Sequence, residues 1–203
     1  MNAPMQWFRA VMLALLVSGV ILASVPVSAD DLAPPPWRGA PGSDWQHWTW
    51  DNGPNAVPDF WNNPYGTPTE NTSARQNAAW NPIFGGRTGV WELEDGYMEW
   101  YIPDHFDPQL EKLVRVQLTL NVPDWNWAGS PTIGPVTDLG DGWYHHWADY
   151  VIPCQPFTVW IAGTFAIDQM VVDSVCVPEP GTMLLSAIGF GVVGAALRRR
   201  RKA

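Results

Sequence analysis

Leu113-Val114-Arg115-Val116-Gln117-Leu118-Thr119-Leu120-Asn121-Val122 alternates without a break. Val114, Val116, Leu118, Leu120 and Val122 fall on one side, and Arg115, Gln117, Thr119 and Asn121 on the other. A period of two is the period of a strand, and one apolar face opposite one polar face marks an antiparallel sheet buried on one side. Upstream, residues 90–94 and 97–102 flank Asp95-Gly96, a two-residue hairpin signal. That turn would set Leu93 against Met98 and Trp91 against Trp100 on a core face. It would set Glu92 against Glu99 on the other. Downstream, Gly140-Asp141-Gly142 reads as a turn into a strand from Trp143 to about Ile152. Two further strands follow at 157–162 and 166–177, separated by Gly163-Thr164.

Farther upstream, Trp48 and Trp50 alternate about Thr49, which predicts a short strand near 45–51. Pro34-Pro35-Pro36-Trp37-Arg38-Gly39 before it reads as extended chain, and 62–81 as a long polar loop region. Charged residues make up only 15% of the 203, against 14 Trp and 20 Pro, a balance that argues against a helical bundle. No amphipathic helix pattern stands out. The expected fold is all-β, an antiparallel β-sandwich of jelly-roll type. The stretch from Ala166 to Val175 resembles the last strand of carbohydrate-binding-module-like jelly rolls. The likeness covers one strand and has no family-specific motif.

Charge is distributed unevenly. All 20 Asp and Glu lie between Asp30 and Glu179, with only 5 of the 11 Lys and Arg, so this stretch carries a net −15. A field of that sign repels phosphate backbones and excludes nucleic acid as a natural partner. It favours solubility and attracts cations. A solvated acidic surface is the plain reading, and a structural calcium is the alternative; no cofactor is expected otherwise.

The two ends have a different character. Arg9, an apolar run from Ala10 to Ala23 and the small residues Val27-Ser28-Ala29 follow the order of a secretory signal peptide over 1–29. Its partners are the export machinery and signal peptidase. Residues 30–61 form a Pro- and Trp-rich, partly extended segment, and 62–177 the β-sandwich domain. At the other end Val177-Pro178-Glu179-Pro180 leads into the uncharged stretch 182–197 and then Arg198-Arg199-Arg200-Arg201-Lys202. As a helix, 182–197 would rise roughly 25 Å, close to a bilayer's hydrocarbon thickness, and the basic cluster would stay cytoplasmic. The Pro-Glu-Pro motif, one membrane helix and an Arg-rich end resemble the PEP-CTERM sorting signal over 178–203. The resemblance implies handling by exosortase, a membrane cysteine peptidase-transpeptidase, in bacteria that make exopolysaccharide. It implies an exported protein, anchored through the C-terminal helix before processing and then placed at the cell surface or in the extracellular matrix. It says nothing of what the upstream domain does.

Candidate chemistry is sparse. Cys154 and Cys176 are the only cysteines, and an even count in an exported chain predicts one disulfide. The alternative, two free thiols or a metal pair, lacks other soft ligands nearby. Glu92 and Glu99 form a candidate carboxylate pair, whose repulsion a cation, a sugar or a shared proton would offset. His145 and His146 are adjacent and point to opposite faces of a strand, and His47 and His105 are isolated, so no metal site is expected. No GxSxG elbow, P-loop or GxGxxG element occurs, so no enzyme is expected. Trp125-Asn126-Trp127 lies in a Pro- and Gly-flanked loop and is the candidate glycan-binding element. Trp91, Trp100 and Trp160 read as core. The functional expectation is a non-enzymatic surface or matrix protein that interacts with exopolysaccharide. The alternatives are a carbohydrate-active enzyme using a carboxylate pair and a purely structural envelope protein.

Overall fold

A computed structural model describes residues 31–178 of the chain. The signal peptide expected over 1–29, the sorting-motif residues Glu179 and Pro180, the helix expected over 182–197 and the basic cluster Arg198–Lys202 lie outside the described residues. Every strand belongs to the compact unit that begins at Ala33. Among the described residues, no helix is long and apolar enough to cross a membrane.

The architecture is all-β and antiparallel. Among the described residues, ten strands run in chain order: β1 (Ser43–Trp48), β2 (Phe60–Asn62), β3 (Thr69–Glu70), β4 (Gln76–Phe84), β5 (Arg87–Ile102), β6 (Asp107–Leu120), β7 (Thr132–Ile133), β8 (Thr137–Gly140), β9 (Trp143–Cys154) and β10 (Phe157–Pro178). β10 organises the sheet. Its first half pairs with β5, from Phe157 opposite Ile102 to Ile167 opposite Trp91. Its second half pairs with β6 on one side and β1 on the other. β9 then pairs with β6, and β7 and β8 with β9. The strands expected at 157–162 and 166–177 are therefore one strand, irregular between Gly163 and Phe165.

The sheet folds over a common core in the manner of a sandwich. Trp91, Leu93, Met98, Trp100 and Ile102 of β5 meet Val114, Val116, Leu118 and Leu120 of β6, with Trp48 from β1 and Met170 and Val172 from β10. The side chains of β6 named first in the sequence are thus the core, as the alternation requires. The opposite face of β6 is not wet. Arg115, Gln117 and Thr119 are buried. Ala33 donates its backbone N–H to Gln117 Oε1 and accepts from Arg115 Nη1, so the N-terminal segment lies over this face. The Arg115 guanidinium sits 4.0 Å above the Trp147 ring and pairs with Asp149 at 2.7 Å. Arg115 and Gln117 can be buried in this way because each finds partners, whereas the Thr119 hydroxyl has none among the described residues.

The hairpin expected at Asp95-Gly96 does not form. β5 runs straight through it, and β4 joins β5 by a turn at Gly85-Gly86, with φ of 57° and 80°. Both positive angles suit the two-residue turn that a right-twisted hairpin needs. At Asp95 (φ 47°) the strand instead bulges, and the pairing with β4 shifts between Gln76 and Ala78. A bulge changes the alternation, so Trp91 and Leu93 point inward before it and Met98, Trp100 and Ile102 after it. The loop expected over 62–81 is shorter than read, because β4 begins at Gln76.

Candidate functional site

β10 residues 157–162 pair with β5 on one side, and among the described residues no strand pairs with them on the other. That free edge borders a cavity of about 500 Å³. Val114, Val116 and Leu118 of β6 form part of its lining, and Trp125, Trp127 and Tyr150 face it from the loop after β6 and from β9. The loop is held down by aromatic edges. Trp125 packs edge-on to Phe165 at 4.9 Å, and Trp127 edge-on to Tyr150 at 6.4 Å. Both indoles are half-buried against the core, and Asn126 between them is exposed. The two rings stand at 89° to each other, so they line a concave corner rather than a flat platform. The indole N–H of Trp125 is buried and has no protein acceptor.

Next to this cavity, the outer face of β5 and β10 carries a second aromatic group. Trp160, expected in the core, is 50% exposed. The reason is local: in β10 Phe157, Val159 and Ile161 turn inward, so Trp160 between them must turn out. Its ring lies nearly parallel to that of Tyr97, 23° apart with centroids 6.3 Å distant. The Tyr97 hydroxyl donates to Glu99 Oε2 and Asn71 Nδ2 donates to Glu99 Oε1, each at 2.5 Å. These donors, Tyr97 first, hold the Glu99 carboxyl below its usual range. The same bond raises the Tyr97 hydroxyl to about 12.

Glu92 and Glu99 do not face one another. They lie seven positions apart on one strand, β5, which places them roughly 20 Å apart. Each pairs across the sheet with other residues, Glu92 with Ala79 and Ala166, and Glu99 with Trp160. Asn81 Nδ2 donates to Glu92, so an amide also meets this carboxylate. A hydrolase built on two carboxylates needs them about 5–9.5 Å apart, and this pair does not supply that geometry.

Cys154 and Cys176 are joined as a disulfide, with Cα atoms 5.7 Å apart. It ties the end of β9 to the end of β10. The sequence shows no soft ligand near these cysteines, but the fold brings two groups to them from the loop between β5 and β6. His105 Nε2 lies 3.7 Å from Cys154 Sγ, and Asp104 Oδ2 lies 3.8 Å from Cys176 Sγ. His145 and His146 remain apart in function: His145 Nε2 meets Gln117 Oε1 at 3.1 Å, and His146 Nε2 meets the Val122 carbonyl at 2.9 Å. Burial lowers the pKa of His146.

Of the expected sorting motif, Val177 and Pro178 are described, and both still belong to β10, opposite Glu111 and Leu110 of β6. The strand therefore leads directly from the disulfide into the motif. The family model of the PEP-CTERM protein-sorting motif matches residues 177–201. The chain carries that motif, which supports an exported protein with exosortase as its processing partner. No curated protein and no solved structure matches the chain, so the likeness of β10 to carbohydrate-binding jelly rolls has no counterpart there.

Proposed function

We propose that the exported chain is a surface or matrix protein whose β domain binds exopolysaccharide without acting on it, in the cavity between Trp125, Trp127, Tyr150 and the free edge of β10. The observation that supports this reading is the concave meeting of three half-buried aromatic rings beside unpaired strand backbone. A pyranose presents apolar C–H faces and a rim of hydroxyls. Indole and phenol rings complement the faces, while strand amides and carbonyls and Asn126 complement the rim. The lining is mainly apolar, which suits deoxy- or acetyl-bearing sugars better than highly charged ones. The acidic surface points the same way, because it disfavours uronate-rich polymers.

The test is affinity for exopolysaccharide extracted from the producing cells, measured by gel retardation or calorimetry. Trp127→Ala and Trp160→Ala should each weaken retention by about tenfold, equivalent to about 1.4 kcal/mol. Trp160 is exposed beyond the core, so its loss leaves the fold intact. Equal retention by all variants and wild type, at equal melting temperature, would leave a structural envelope role in place of binding.

A further inference from the structure

Four groups converge at one end of the sheet: Asp104 and His105 from the loop between β5 and β6, Cys154 from the end of β9, and Cys176 from the end of β10. Their ligand atoms all lie within 4.8 Å of one another. We propose that these four residues form a thiol-dependent site for a divalent metal of the zinc class, available when the Cys154–Cys176 bond is reduced.

His105 and Asp104 already stand near ligand distance from the sulfurs, which separate when their bond is reduced. Tetrahedral zinc with bonds of about 2.3 Å to sulfur and about 2.1 Å to nitrogen or oxygen sets neighbouring ligands about 3.6 Å apart. His105 Nε2 is 3.7 Å from Cys154 Sγ, and Asp104 Oδ2 is 3.8 Å from Cys176 Sγ. His105 Nδ1 lies 2.8 Å from Asp104 Oδ1, and the Tyr65 ring packs against the imidazole at 4.9 Å. Such a carboxylate contact fixes the tautomer that leaves Nε2 free to coordinate. Lys112 is fully buried beside the cluster, 2.6 Å from Asp104 Oδ2. Its charge completes the balance. Two thiolates and the Asp104 carboxylate against the Lys112 ammonium leave two negative charges, which a divalent ion neutralises. Without the ion the reduced sulfurs hold protons; the ion releases them and forms a site with no net charge.

The steps balance. A phosphine delivers two electrons to the S–S bond and leaves as its oxide with an oxygen atom from water. The two protons of that water go to the sulfurs, and the metal displaces them on binding.

The probe is cobalt(II), added without air to the full chain reduced with a water-soluble phosphine. The expected result is one cobalt per chain, with thiolate-to-cobalt charge-transfer absorption and the intense visible bands of a tetrahedral ion, bleached by zinc. The oxidised protein should show neither. His105→Ala keeps both cysteines and the disulfide, so it folds as the parent does; it should weaken cobalt binding at least about tenfold and shift the visible bands. Two results would overturn the proposal. One is the absence of charge-transfer absorption in reduced protein that retains its β circular dichroism. The other is an identical affinity and spectrum in His105→Ala, or in the reduced chain unfolded by denaturant.

Discussion

At the residue scale the domain spends its few cations internally. Arg38, Arg75, Arg87, Lys112 and Arg115 each pair with an acid: Asp173, Glu70, Asp168, Asp104 and Asp149. Each also lies over an aromatic ring, Trp45, Trp91, Trp143, Phe157 and Trp147 in turn. Guanidinium groups held between a carboxylate and an indole show how this Trp-rich chain accommodates its arginines with both charge and stem partnered. Asp44 behaves differently. It is buried beneath Ser174, whose hydroxyl donates to it at 2.8 Å, and burial lifts its pKa from 3.8 to about 7. The folded state then holds the proton more tightly than the unfolded chain. The associated stability is complete below pH 3.8 and is lost as pH rises through about 7. Asp44→Asn keeps an acceptor for Ser174 and removes this titration. Relative to wild type, the variant should gain melting temperature between pH 4 and pH 8 as the wild-type group ionises, a difference that thermal unfolding across that range measures. Gly89 is a second sensitive point. With φ +69°, a Cβ there would fall 2.4 Å from the Trp50 backbone. Gly89→Ala should cost about 3 kcal/mol by urea unfolding, because neither the backbone nor the buried Trp50 can yield.

At the scale of elements, the sequence was legible where alternation is strict and misleading where turn residues serve another purpose. The 113–122 pattern placed β6 and its core face, and Gly140-Asp141-Gly142 placed the start of β9. Asp95-Gly96 misled because residues that favour positive φ suit a bulge as well as a turn. Gly85-Gly86 carried the true hairpin signal. The polar row on β6 was read as wet because nothing in a strand's own pattern shows that a distant Pro-rich segment covers it. The disulfide was legible from cysteine count alone, whereas its neighbours Asp104 and His105 were not, since a loop about 50 residues before Cys154 supplies them. Closing the 22-residue span between the cysteines should contribute about 3 kcal/mol. Cys154→Ser with Cys176→Ser should lower the urea midpoint and, because the unfolded chain loses its crosslink and expands, raise the slope. An unchanged midpoint would mean that the strand pairing of β10 alone holds this end.

For the whole molecule, one strand links stability to destination. β10 crosses the entire sheet, passes through the disulfide at Cys176 and carries the first two residues of the matched sorting motif within its pairing. The last described strand thus reaches into the matched sorting signal. The wide acidic excess, read from sequence alone, becomes a statement about the surface, because every described cation is already paired inward. Such a surface should keep the domain soluble at low salt and away from nucleic acid, and retention on an anion exchanger but not on heparin checks this. The destination itself is tested most directly by intact-mass analysis of the protein recovered from its own cells and from their surroundings. The account predicts a mature species in the envelope or outside the cell, beginning near Asp30, lacking the Arg-rich end and shortened close to Pro178-Glu179-Pro180. A chain of unaltered mass from Met1 to Ala203, found in the cytosol of cells with active exosortase, would contradict it.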